Sequence, residues 1–357
     1  MGTPREEGFR MLAEWAPHAA CWLAWPHLAA EWGELLEAAR HELCALAMAI
    51  ADPDPQTGIR RGEAVCMLVP DAAGEEAARD ALRGVPVQFY RVPFGDIWMR
   101  DIGPIFVADR SGDLASCSFV WSGWGGKYLF EHDEGVGERV GALVTERRFS
   151  FPWALEGGAV DTDGEGTLLT TRRCLIDPKR NPGMGQADLE RSLRDVLGVE
   201  RILWLEGCLE NDHTDGHIDT LARFVAPGVV ACMEPGTGDD PNREALVAVA
   251  DALEGAEDAR GRTFEVVRVP SPGVVRSGDG ALMPASYMNF YIGNRTVAVP
   301  TYGSPRDAEA VEQIGRLFPG RRTVGLSAFA ILSGGGAFHC ITKEQPGDAS
   351  AAEEVLA

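Results

Sequence analysis

A strand, a Pro/Gly/Asp-rich turn, an amphipathic helix and a second strand recur in the same order along the whole chain. This recurrence restricts the fold more than any single motif, because a repeated supersecondary unit buries its apolar face only against its own copies. The clearest copy is TVAVPTYGSPRDAEAVEQIGRLFPGRRTVGLSA, residues 296–328. In it Ala308, Val311, Ile314 and Leu317 fall three residues apart on one helical face, and Ser304-Pro305 and Pro319-Gly320 punctuate the ends. The same order reads in VVACMEPGTGDDPNREALVAVADALEG followed by TFEVVRVP, and in LLTTRRCLIDPKRNPGMGQADLERSLRDVLG followed by ILWLEG. Two fainter copies start at CWLAWPH and at AVCMLVP, which brings the count to about five; residues 105–150 read as an insertion with its own strands, IFVAD and SCSFVW. Alternating strands and helices make the chain α/β. Such repeats close as a barrel of parallel strands or as a ring of small mixed sheets with helices outside, and strand pairs separated by one helix favour the ring. No linker is visible, so a single catalytic domain is expected over residues 1–346, with a frayed tail over 347–357.

The chain has 357 residues, with 33 Lys+Arg against 54 Asp+Glu and a formal net charge of -21. Such a field repels nucleic acid and attracts small cations. No apolar stretch reaches the roughly 18 residues that span a bilayer, and MGTPREEGFRMLAEW lacks the apolar region of a secretory signal. A cytoplasmic protein with no membrane partner is expected. The eight cysteines form no C-x-x-C pair and mostly sit in apolar runs, as small buried hydrophobes do.

Unusual residues concentrate in the loops that follow the second strand of the units, and loops on one face of a repeat scaffold converge. They read DIWMRDIGP (96–104), LEGGAVDTDGEG (155–166), ENDHTDGHIDTLARF (210–224) and SGGGAFHC (333–340). Cys340 reads either as a buried thiol opening a strand CIT or as a nucleophile. Gly334-Gly335-Gly336 favours the second, since three glycines admit a ligand and offer free amides that lower a thiol pKa. His339 is adjacent, but neighbours on a strand face opposite ways, so the partner imidazole is expected elsewhere. His217 is the candidate: in an extended Asp215-Gly216-His217-Ile218-Asp219 the period of two sets it beside two carboxylates, which suits a general acid and base. D-x-H-x-D with His213 nearby also has the ligand chemistry of manganese hydrolases and resembles a motif of the arginase and agmatinase ureohydrolases. No second Asp/His-rich motif completes a binuclear site. Trp98 and Asp101, three residues apart, offer the aromatic face and carboxylate fork that a guanidinium takes. The alternative there is a core Trp beside an exposed Arg-Asp turn. Glu156 before Gly157-Gly158 reads as a plain turn or as a carboxylate brought near a ligand.

These residues together resemble the agmatine deiminase and bacterial peptidylarginine deiminase family of guanidine-modifying enzymes. The resemblance runs nearly end to end, through AEWAPHAACWLAWPH, DIWMRDIGP, LEGGAVDTDGEGTLLTTRRCLIDPKRNP, DGHIDTLARF, SYMNFYIGN and GGGAFHCITKEQP. It implies a five-bladed, pseudo-fivefold α/β propeller, the pentein fold, in agreement with the repeat count. It also implies Cys340 as nucleophile, His217 as general acid/base, Asp101 and Asp219 as the carboxylates that grip the guanidinium, Glu156 as a further acidic residue lining the site, and Trp98 as a wall. No metal or organic cofactor is implied, and a homodimer is. Three departures bear on substrate, one of them KEQP at 343–346 in place of a more neutral Gln-rich ending. Asp212-His213 stands where the family usually carries an acidic pair, so these two are expected at the substrate tail; Ala337 replaces a common Asn. The expected reaction is deimination of agmatine to N-carbamoylputrescine and ammonia, with arginine, peptidylarginine or another guanidino metabolite as alternatives. Behind these stand a metal-dependent ureohydrolase and a non-catalytic guanidino binder.

Overall fold

The computed structural model describes residues 2–236 and 240–347. Apart from Gly347, the expected tail lies outside the described residues. Sixteen strands form five small sheets. The repeating unit is an antiparallel strand pair, then a helix, then a third strand parallel to the second. Four sheets have this plan: β4 (Ile105–Ala108), β5 (Leu114–Ser118) and β6 (Arg147–Ser150); β7 (Val160–Thr162), β8 (Thr167–Thr171) and β9 (Arg201–Leu205); β10 (Ala222–Ala226), β11 (Val229–Glu234) and β12 (Glu265–Pro270); and β13 (Tyr291–Ile292), β14 (Thr296–Thr301) and β15 (Arg322–Ser327). The remaining sheet runs β16-β1-β2-β3, from β1 (His18–Ala24), β2 (Ala64–Val69), β3 (Val87–Arg91) and β16 (Lys343–Pro346). In it the last strand of the chain pairs antiparallel with the first, Trp22 opposite Lys343, which closes the ring.

The sequence count of five therefore holds for different units. CWLAWPH and AVCMLVP are neighbouring strands of one sheet in parallel register, Trp22 opposite Cys66. Residues 105–150 are no insertion; IFVAD and SCSFVW supply β4 and part of β5, and they form a complete blade with β6, RRFS, which is too short and polar to announce itself. In the helix Asp307–Leu317 the buried positions are Ala310 and Ile314, with Val311 and Leu317 partly covered. Ala308 faces solvent, one position off the expected stripe.

Each blade follows from its pattern. AVCMLV of β2 is buried at every position, as a strand covered on both faces must be. The helix Gln186–Leu197 buries Leu189, Leu193, Val196 and Leu197, and ends at Gly198 with φ 68°, the left-handed conformation glycine adopts freely. Burial of each such Leu or Val is worth about 1.5–3 kcal/mol. Neighbouring blades touch through their first strands, β16 with β4 and β7 with β10, and through helices, Asp307–Leu317 with β12 and Leu36–Ala51 with β14. Between the last blade and the first, Asn294 exchanges two hydrogen bonds with the backbone of His18. Tyr291 donates to Glu63 at 2.9 Å. No helix among the described residues is long and apolar enough to cross a membrane.

The five segments that leave the third strands of the blades emerge at one end of the ring. They carry Asp101, Glu156, His217 with Asp219, Asn289, and Cys340 respectively.

Candidate active site

Short turns of helix aim the reactive side chains. Met99–Ile102 forms one turn that presents Asp101. Gly157–Ala159 forms another. A third, Ile218–Thr220, follows His217. The D-x-H-x-D loop is not extended: Asp215 has φ 65° and Gly216 φ 96°, and this reversal separates the three residues expected on one side. Asp215 turns outward to Lys127 at 2.7 Å and Arg180 at 3.0 Å. His217 and Asp219 turn inward and are buried. The trio does not converge as metal ligands. Cys340 lies in the helical turn Phe338–Ile341 and not in a strand; β16 begins three residues later.

Asp101 and Asp219 meet at Gly158. A Cβ at that position would stand 2.5 Å from His217 Nδ1, 3.0 Å from Asp219 Oδ2 and 3.1 Å from Asp101 Oδ1, so only glycine lets the three converge. Cys340 Sγ lies 3.6 Å from Asp219 Oδ2 and accepts from Asn289 Nδ2 at 3.1 Å. Asp101 accepts from the Gly158 amide at 3.0 Å and from Trp124 Nε1 at 2.8 Å. Its Oδ2 is 3.7 Å from His217 Nδ1. Two buried polar atoms here have no hydrogen-bond partner, His217 Nδ1 and Asp219 Oδ1. Buried polar atoms of that kind mark where a ligand's donors and acceptors belong.

The electrostatics follow from burial and from the carboxylates. Burial pushes the Cys340 thiol well above its ordinary pKa, and Asp219 and Asp101 push it further; the Ala337 amide and Asn289 oppose them. Burial alone would discharge the His217 imidazole, yet Asp101, Cys174 and Glu156 hold its pKa well above the ordinary value. Burial raises Asp101, and His217 offsets only part of that. Asp219 is the opposite case: against burial, His339, His217 and Arg223 hold it below the usual carboxylate range. Burial and the two carboxylates thus favour the protonated thiol of Cys340, while the carboxylates favour the charged form of His217.

The glycine triplet works by proximity. A Cβ on Gly334 would reach within 2.9 Å of both Trp32 and Trp98, on Gly335 within 2.4 Å of His213 Nδ1, and on Gly336 within 2.7 Å of Trp98 and 3.0 Å of Cys340 Sγ. The expected free amides are otherwise engaged at two positions, where Gly334 and Gly335 donate to Ile331 and Leu332. Against these glycines opens a cavity of about 170 Å³ with aromatic walls Trp32, Trp98, Trp124, Tyr128 and Phe130.

Of the eight residues singled out in the sequence, Trp98, Asp101, His213 and Cys340 line this cavity, and His217 and Asp219 close behind them. Two sit differently from expectation. Glu156 is not at the cavity; it lies behind His217, 3.5 Å from Nε2, and accepts from Arg180 Nε on both oxygens at 3.0 Å. His217 and Arg180, working against burial, bring its pKa down to about 2. Asp212 faces its own loop, accepting from Thr214 N, Thr214 Oγ1 and Gly216 N at 2.7–2.8 Å, so it shapes the reversal, and it does not line the cavity. His213 does reach the cavity, stacked on Tyr128 at 5.5 Å, and burial lowers its pKa. The Arg100 of the supposed exposed turn is buried against Glu344. Glu156, Cys174 and His217 bring ligand atoms within 4.8 Å of one another, but the Arg180 guanidinium occupies the carboxylate and opposes a cation there.

Three contributors escaped the sequence reading: Asn289, Trp124 and Arg180. Asn289 lies inside the quoted SYMNFYIGN, where an amide flanked by Met288 and Phe290 was the available signal. Trp124 sits in WGGK with φ 51°, which no sequence pattern predicts. Arg180 lies in a polar turn and looks solvated until Glu156 folds over it.

The Porphyromonas-type peptidyl-arginine deiminase family matches residues 10–346. A curated agmatine deiminase of Pseudomonas aeruginosa is 37% identical over 370 residues, covering 96% of this chain and 97% of that protein. The solved agmatine deiminase of Enterococcus faecalis superposes with a TM-score of 0.90 at 30% identity, covering 97% of this chain and 98% of that one. An amidinotransferase of Microseira wollei shares the fold at a TM-score of 0.52 and 12% identity, over 94% of this chain and 96% of that one. The match along almost the whole chain, with the cysteine, imidazole and paired carboxylates gathered at one end of a five-bladed ring, makes this chain a member of the Porphyromonas-type peptidyl-arginine deiminase family.

Proposed function

We propose that the chain hydrolyses the guanidinium of agmatine to N-carbamoylputrescine and ammonia, with Cys340 as nucleophile and His217 as general acid and base. The observation that carries this reading is the junction at Gly158. There two carboxylates and an imidazole with an unpartnered nitrogen meet, and one of those carboxylates, Asp219, lies 3.6 Å from the Cys340 thiol.

Each part has a task. The planar guanidinium sets its N–H forks against Asp101 and Asp219, and Trp98 and Trp124 cover its flanks. Two buried carboxylates attract one cation, and the guanidinium brings its charge to the thiol. Its arrival lowers the Cys340 pKa, and the thiol proton leaves for solvent. Sγ adds to the guanidinium carbon to give a neutral tetrahedral adduct. His217, held protonated by Asp101 and Glu156, donates to one NH2 group; the C–N bond breaks and ammonia departs, leaving a thiouronium. Water then adds as the now neutral His217 takes its proton, and the C–S bond breaks to release the ureido product and the thiolate. The hydroxyl proton of the adduct passes to solvent, where the departed ammonia takes one up as ammonium, and the thiolate regains its proton from solvent as the product leaves.

Ammonia and urea are measured together, with agmatine as substrate, with and without EDTA. The reading expects ammonia, a ureido product, no dependence on EDTA, and complete loss in Cys340→Ala. Urea released in a chelation-sensitive reaction, or substantial turnover by Cys340→Ala, would refute it.

A further inference from the structure

Beyond the reacting centre, one carboxylate on the cavity wall has no structural task. We infer that Glu31 is the specificity residue for the substrate's far end: it takes a terminal ammonium and disfavours a substrate that ends in a carboxylate. The inference rests on the deiminase reading above.

Three carboxylates line the cavity: Glu31, Asp96 and Asp101. Asp101 belongs to the reacting centre. Asp96 is buried and spent on the indoles, accepting from Trp32 Nε1 at 3.0 Å, Trp98 Nε1 at 2.8 Å and the Ile97 amide at 2.9 Å. Glu31 is exposed at the mouth, and no described side chain bonds to its carboxylate. Its position follows one continuous wall. Gly336 packs against Cys340 and Trp98; Trp98 stacks on Trp32 with ring centroids 6.2 Å apart; Glu31 precedes Trp32 in the same turn of helix. A guanidinium held at Asp101 and Asp219 thus extends its alkyl chain along Trp98 and Trp32, toward the Glu31 carboxylate.

The lining also says what is refused. None of the described residues lining the cavity is Lys or Arg. An α-carboxylate at the mouth would meet Glu31 with no cation to offset it, whereas a primary ammonium finds its counter-ion. His213, the one imidazole among the described residues lining the cavity, has its pKa lowered by burial, which disfavours its charged form.

Steady-state kinetics of the unaltered protein, Glu31→Gln and Glu31→Asp are compared on agmatine, arginine and n-pentylguanidine, in which a methyl group replaces the terminal ammonium. Glu31→Gln is expected to raise KM for agmatine about two- to five-fold, as an exposed ion pair warrants, while kcat and the constants for n-pentylguanidine stay unchanged. Glu31→Asp should recover part of the loss, and added salt should narrow the gap. Equal losses on agmatine and n-pentylguanidine, or an unchanged KM for agmatine, would overturn the assignment while leaving the deiminase reading standing. Failure of the unaltered protein to release ammonia from any guanidine would remove that reading and the assignment with it.

Discussion

Nδ1 of His339 lies 2.7 Å from Oδ2 of Asp219. The same oxygen is the one nearest Cys340 Sγ, and the other oxygen of that carboxylate is left free. On its far side His339 Nε2 stands 2.7 Å from Glu14, which also pairs with Arg223 and Arg100 in a buried cluster of charges. A strand at residue 340 would have pointed His339 away from the chemistry. The helical turn present there lets it act through Asp219. His339→Ala is expected to lower kcat/KM by about 10- to 100-fold, the cost of a misaligned binding group, with KM for the guanidine rising. Turnover close to that of the unaltered protein would show that Asp219 needs no such support.

The raised pKa of Cys340 makes its free thiol slow to react at neutral pH. Only the thiolate attacks, and its fraction grows as pH climbs toward the shifted value. Alkylation of the Cys340 peptide by iodoacetamide, followed by mass spectrometry on ligand-free protein, should be slow at pH 7 and still rising above pH 9. A rate that levels off near pH 6 would mean the thiolate already exists before substrate arrives.

Glu156 links the site to acid stability. Its ordinary value of 4.5 falls to about 2 in the folded protein. A depressed carboxyl contributes stability that is fully present above pH 4.5 and is lost as pH falls toward 2; the shift corresponds to at most roughly 3 kcal/mol. Glu156→Gln also removes one of three carboxylates paired with Arg180, which keeps Asp177 and Asp215, so the added cost stays below the about 3–5 kcal/mol of a fully broken buried pair. Urea melts should therefore show Glu156→Gln well below the unaltered protein at pH 7, with the gap closing between pH 4.5 and pH 2. A gap independent of pH would contradict the ion pair.

Gly158→Ala tests the convergence directly. The added methyl would sit against His217 Nδ1 and both carboxylates, in the space where the guanidinium belongs. Overpacking of this kind costs about 1–3 kcal/mol of stability, and the same displacement should cost about 100-fold or more in kcat/KM. A folded Gly158→Ala protein with near-normal turnover would place the guanidinium elsewhere.

Much of this was legible in the chain alone. The recurrence of apolar strands and amphipathic helices called for a closed ring of mixed sheets, because period and turn chemistry are local properties of a sequence. The candidate residues stand out because glycines and charged groups interrupt apolar strand ends: Asp101, His217, Asp219 and Cys340 lie in such loops, and the structure brings all four together. The strand partners were not legible. Pairing Trp22 with both Cys66 and Lys343 joins residues hundreds of positions apart in the case of Lys343, and no local pattern encodes that. Nor were the roles of Glu156 and Asp212. A carboxylate next to glycines reads as a ligand until Arg180 arrives from another turn to occupy it, and Asp212 is spent on its own loop only because Asp215 and Gly216 reverse the chain. Sequence determined which chemistry the chain carries and which loops present it. Tertiary structure decided which charges meet, because a carboxylate's task depends on the cation or donor that burial forces against it, and that partner comes from wherever the ring closes.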